Sequence, residues 1–144
     1  MRAAWALEGL VLLASASIAA PPPGQSSDGV TTAVHETVRP VSRDTLPGGT
    51  QELIVVEVTL PPGAEALPHR HPAFVYAYVL SGPVESALDN KKPTTFQTGQ
   101  SWHEEPGTLH RVTRNPSPSH TARLLAVFVA KSGETELVRP ATPE

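Results

Sequence analysis

The sequence predicts an all-β domain. Three observations point that way. Short runs rich in β-branched and aromatic residues follow one another between turn signals, as in "ELIVVEVTL", "FVYAYVL" and "ARLLAVFVA". Proline supplies 16 of the 144 residues, about twice its usual ~5% share, and proline breaks helices. Beyond the first thirty residues, no stretch of ten or more shows a 3.6-residue apolar period with caps.

The elements follow in order. "AVHETVRPV" is a weak first strand. Glu52 to Leu60 is a strong one, stopped by the Pro61-Pro62-Gly63 turn. "FVYAYVL" is the next and closes at Ser81-Gly82. Val84 to Asp89 leads into the turn "DNKKP", and "TTFQT" returns from it to Gly99. "SWHE", the turn "EPG" and "LHRVTRN" come next, and Ala122 to Ala130 is the last strong strand. Seven to ten short, closely spaced strands describe a sandwich or a barrel. Alternation along Phe74 to Val79 puts Val75, Ala77 and Val79 on one face and Phe74 and the two tyrosines on the other.

Composition excludes several classes of function. There is no cysteine, so thiolate metal sites, iron–sulfur clusters, thiol catalysis and disulfides are out. Any metal must be held by nitrogen and oxygen. The net charge of −3 offers no basic face for nucleic acid.

Residues 1–19, "MRAAWALEGLVLLASASIA", have a basic start, a short apolar run and small residues at Ser17-Ile18-Ala19. This is the pattern of a signal peptide, and it predicts export to a periplasm or to the medium. The apolar run is too short to span a bilayer. Residues 20–29 read as a Pro/Ser/Gly-rich linker, residues 30–138 as the domain, and residues 139–144 as a loose tail.

Chemistry concentrates in "LPHRHPAFVYAYVLSG". His69 and His71, two apart, share one face of an extended segment and can chelate one ion. An H-x-H pair is common by chance, so its context matters. Gly63 precedes His69 by six residues and Gly82 follows His71 by eleven. Further on, "GQSWHEEPGTLH" carries Gly99, Gly107 and His110.

These two blocks resemble the cupin family, in particular its small exported members described as quercetin-dioxygenase-like. The first cupin motif, G-x5-H-x-H-x3-E-x6-G, is matched by Gly63, His69, His71 and Gly82. The second, G-x5-P-x-G-x2-H-x3-N, is matched by Gly99, Gly107 and His110. The resemblance covers about Glu52 to Val129. It implies a double-stranded β-helix (a jelly-roll barrel) and a divalent transition metal, Fe, Mn, Ni, Cu or Zn, held by His69, His71 and His110. It also implies a small-molecule ligand or substrate and a possible homodimer.

Three positions depart from the motifs. Glu105 and Arg114 stand where the second motif has proline and asparagine, with Pro106 and Asn115 one step late. Val75 stands where the first motif has its glutamate. Valine has no donor, which leaves a three-histidine set. Glu104 is the candidate replacement, as a fourth ligand or as the catalytic base. Two functions are consistent with this pattern. One is a metal-dependent enzyme, dioxygenase-like, an isomerase or a decarboxylase, acting on a small anionic or enolisable compound. The other is a non-catalytic small-molecule binding module, with or without metal.

Overall fold

The computed structural model describes residues 35–141. The expected signal peptide, residues 1–19, and the whole of the expected linker, residues 20–29, lie outside them. The described chain is a sandwich of two antiparallel sheets.

Eleven strands form it: β1 (Thr37–Thr45), β2 (Gln51–Leu60), β3 (Glu65–Ala66), β4 (His69–Arg70), β5 (Phe74–Ser81), β6 (Val84–Leu88), β7 (Thr94–Phe96), β8 (Ser101–Glu104), β9 (Leu109–Arg114), β10 (Ala122–Lys131) and β11 (Arg139–Pro140). One sheet runs β1-β2-β10-β5-β8, and the other runs β11-β4-β9-β6-β7 with β3 also on β9. Neighbours in each sheet are mostly distant in sequence, which makes the barrel non-local. The longer strands β2, β5 and β10 fall close to where the sequence places them, whereas β1 runs over Thr37–Thr45, displaced towards the C-terminus from the expected "AVHETVRPV". The two-residue strands β3, β4 and β11 have no such signal. Arg139 and Pro140, expected in a loose tail, instead pair with Arg70 and His69.

β2 and β10 pair along their full lengths, from Leu60 opposite Ala122 to Gln51 opposite Lys131. Their inner residues, Ile54, Val56, Leu60, Leu124 and Phe128, pack with Val75, Ala77 and Val79 of β5 to make the core. Leu60, Val79 and Val84 are wholly buried, and each contributes roughly 1.5–3 kcal/mol by leaving water. Tyr76 and Tyr78 face outward, as alternation requires. β1 is the edge of its sheet among the described residues, and Pro40 sits in it at a bulge, where no ladder N–H is needed.

Two turns place the histidine segments. At Gly82 the backbone has φ of +78°, and a Cβ there would lie 2.9 Å from the Ala122 Cα. Only glycine lets the end of β5 pass β10 so closely. At Gly107, φ is +82°. Its N–H donates to the His71 carbonyl (2.8 Å), and Arg70 Nη1 donates to the Gly107 carbonyl (2.7 Å). The "EPG" turn is thereby tied to the H-x-H segment.

Candidate metal centre

His69 on β4 is the direct cross-strand partner of His110 on β9. Such partners project side by side from one face of a sheet. His71 lies just past the end of β4 and turns back to the same side. One ring nitrogen from each of the three histidines lies within 4.8 Å of the others. His71 and His110 are buried, and His69 is half-buried.

The hydrogen bonds decide which nitrogen of the first pair is free. His69 Nδ1 is 2.6 Å from the Leu67 carbonyl, and His71 Nδ1 is 2.6 Å from the Leu137 carbonyl. A carbonyl oxygen only accepts, so each Nδ1 carries a hydrogen. In a neutral ring the lone pair is then on Nε2. The two Nε2 atoms face each other at 3.2 Å. Two lone pairs at that distance repel; a shared proton or a cation between them makes the contact favourable. Burial holds His71 down at about 4, with a smaller opposing effect from the Leu137 bond. Burial, then the neighbouring His69 and His71, hold His110 at about 3. Both rings are neutral at pH 7, the form that ligates metal.

Glu104 completes the cluster from the opposite sheet. It is the cross-strand partner of Val75, so its carboxylate emerges beside the position left empty of a donor by that valine. Glu104 is 2% exposed. Its Oε1 accepts from Trp102 Nε1 (3.0 Å) and lies 3.1 Å from His110 Nδ1. Its Oε2 lies 3.7 Å from His71 Nε2 and has no hydrogen-bond partner. Burial raises the carboxyl to about 7, against a smaller lowering by the Trp102 bond. With His110 neutral, the contact between Glu104 and His110 is not an ion pair.

His110 Nε2 meets two hydroxyls, Ser86 Oγ and Thr113 Oγ1, each at 2.8 Å. Neither hydroxyl is among the residues expected from the sequence. A signal existed for Ser86: counting by two from the buried Val84 places it inward, and an inward hydroxyl needs a partner. The Leu67 and Leu137 carbonyls carry no residue-specific signal. Of the other residues in and around the motifs, His103, Glu105 and His120 are exposed, and Trp102 forms part of the pocket wall. His35 is exposed, yet it stands at the pocket mouth.

The pocket is a cavity of about 400 Å³ between the sheets. The three histidines and Glu104 lie in its wall with Val56, Ala77, Leu124 and Phe128. The Phe128 ring meets His71 edge-on at 5.2 Å between centroids. This volume suits a small molecule.

Comparison with known proteins agrees with this architecture. The cupin domain family matches residues 56–128, which is 73 of the 144 positions. The chain is a cupin. No protein of curated function matches the sequence of this cupin.

Among solved structures, the cupin resembles an uncharacterized conserved protein with a double-stranded β-helix domain from Klebsiella pneumoniae, at 22% identity and a TM-score of 0.57, over 80% of this chain and 90% of the other. It resembles the polyketide cyclase RemF from Streptomyces resistomycificus at 24% identity and 0.58, over 76% and 72%. It also resembles the DMSP lyase DddQ from Ruegeria pomeroyi at 22% and 0.55, over 64% of this chain. The cupin spans only 44% of that lyase's length. These likenesses establish the fold.

The donor set fits a divalent transition metal. Three imidazoles converge, two of them have their tautomers set by carbonyls, and the buried carboxylate oxygen beside them is unpartnered. Imidazole and carboxylate are the donors that Zn, Cu, Fe, Ni and Mn accept.

Proposed function

We propose that this cupin is a metal-dependent enzyme acting on a small anionic or enolisable compound. His69, His71 and His110 are its metal ligands, and Glu104 is the fourth ligand or the base. The observation that carries the proposal is the pair of Nε2 lone pairs facing each other at 3.2 Å. The third histidine and the orphaned Glu104 Oε2 stand beside them.

When bound, a divalent ion would supply Lewis acidity and polarise an oxygen of the substrate. The protein's own groups do the rest. The carbonyls of Leu67 and Leu137 hold the His69 and His71 rings in position. Trp102 Nε1 fixes one oxygen of Glu104 and leaves Oε2 aimed at the centre. Held near 7, this carboxyl can take up or release a proton at neutral pH, as a general base must. The apolar wall around it excludes water. Proton removal next to an anion-stabilising centre suits isomerisation, lyase or decarboxylation chemistry and dioxygenase-like reactions.

A second reading, a receptor without turnover, draws support from Val75, because the first motif's own carboxylate is missing. We propose further that the cupin is exported through residues 1–19. Exported protein should begin near Ala20 when its N-terminus is sequenced.

Elemental analysis of untagged protein, purified without chelator, tests the metal reading. We expect close to one equivalent of a transition metal per chain, and none in the His69→Ala/His110→Ala double variant. Full metal retained by that variant rejects the ligand assignment. Screening the loaded protein against β-diketones, flavonols and catechols separates the readings: turnover supports the enzyme, and binding without turnover supports the receptor.

A further inference from the structure

The pocket wall limits what the metal centre can accept. Among the described residues that line it, none is lysine or arginine. The charged side chains there are carboxylates, Glu104 at the centre and Glu36 at the mouth. Between them the wall is aliphatic and aromatic, with Val56, Val58, Ala77, Leu124, Ala126 and Phe128. A charged group resting on such a wall loses its water and gains no partner.

The mouth is apolar as well. Six large hydrophobic residues are exposed among the described residues, and three of them, Val38 (57%), Leu67 (75%) and Val138 (51%), line this pocket. They come from β1, from the turn before β4 and from the segment before β11. Three separate parts of the chain therefore present apolar side chains to one opening. Pro68 and Pro140 stand with them.

From this we infer that the cupin takes amphipathic monoanions: compounds with one chelating, singly charged end and an apolar body long enough to reach the rim formed by Val38, Leu67 and Val138. The inference rests on the metal reading above, since only a cation at the histidines offsets the charge of the head. The inner wall receives the body, and the rim covers its far end. A second anionic group along the body would meet an apolar wall and, at the mouth, the Glu36 carboxylate. Sugar acids, phosphates and short dicarboxylates are excluded on that ground.

The test is calorimetric titration of the full chain, loaded with zinc and checked for metal content. The probes are acetohydroxamate, hexanohydroxamate and octanohydroxamate, which share one singly charged bidentate head. Malonate serves as the dianion. Affinity should rise about fourfold for each methylene that enters the pocket, with an increasingly negative heat-capacity change. Malonate should bind more weakly than hexanohydroxamate. In the Leu67→Asn and Val138→Asn variants, the affinity ratio of octanohydroxamate to acetohydroxamate should fall several-fold. Both residues are more than half exposed, so these variants should fold. If zinc is bound but affinity is independent of chain length, or malonate binds tightest, the inference is overturned and the metal reading stands. If the chain takes up neither zinc nor copper, iron, nickel or manganese, both are overturned.

Discussion

Val75 and Glu104 are direct partners across the β5–β8 pairing, and both side chains are 2% exposed and face the cavity. The first cupin motif expects a carboxylate at position 75. The fold supplies one from the neighbouring strand, displaced sideways by one inter-strand step. Loss of the glutamate from one strand and its presence on the adjacent one leave the carboxylate in the same part of the cavity.

This relationship predicts a compensating pair of substitutions. Glu104→Gln keeps the shape and the Trp102 contact but removes the charge. Metal affinity, measured by competition with a chromogenic chelator, should fall by roughly 10- to 100-fold, the range seen when groups supporting a metal site are removed. Val75→Glu in the Glu104→Gln background should recover most of that loss. Lack of recovery would mean that position 75 does not reach the centre.

Metal should also stabilise the fold. A ligand that binds only the native state at one hundred times its dissociation constant adds about 2.7 kcal/mol. Thermal melts of wild-type protein should shift upward on adding zinc and downward on adding EDTA. The His69→Ala/His110→Ala variant should show neither shift.

Acid sensitivity should trace in part to Glu57. Hydrogen bonds from Arg123 and Arg39, at 2.6 Å each, lower its carboxyl from 4.5 to about 2. Because the folded value lies below the unfolded one, the unfolded chain takes up the proton first as pH falls. The stabilisation is complete above about 4.5 and drains away as pH falls towards about 2. Glu57→Gln should be less stable than wild type at pH 7, and the gap should narrow between pH 4.5 and pH 2. Comparing the two proteins cancels the contributions of the buried histidines and of Glu104. A gap that stays constant with pH would contradict the assignment.

Gly82→Ala should destabilise the domain by roughly 1–3 kcal/mol, the cost of holding a side chain in a left-handed backbone. Here the added methyl also meets Ala122. Urea denaturation measures the loss. Since Gly82 is remote from the histidines in the pairing scheme, metal stoichiometry should persist in the folded fraction.

Much of this molecule is legible in its residues alone. Alternation in Phe74 to Val79 separates the inward valines from the outward tyrosines, because a half-buried strand has a period of two. The three histidines are legible through the resemblance of their spacing, framed by Gly63, Gly82, Gly99 and Gly107, to the two cupin motifs. β3, β4 and β11 are not, because two residues carry no period and pair only where a partner strand is already in place. The hydroxyls of Ser86 and Thr113 on His110 escape notice for a related reason: a serine in a short strand is identified as a ligand's partner only when the adjacent strand's register is known.

The amino-acid sequence by itself determined the succession of the longer strands and the absence of thiol chemistry, since each depends on residue type and local pattern, and its resemblance to the two cupin motifs singled out the three imidazoles that the structure brings together. The position of the carboxylate was decided only in the tertiary structure. Whether Glu104 reaches the histidines depends on the register of β8 against β5, and a shift of one residue would turn the side chain to the outer face of the sheet. The same packing of two distant sheets brought Val38, Leu67 and Val138 around a single opening. Those contacts are long-range, so no local pattern of residues encodes them.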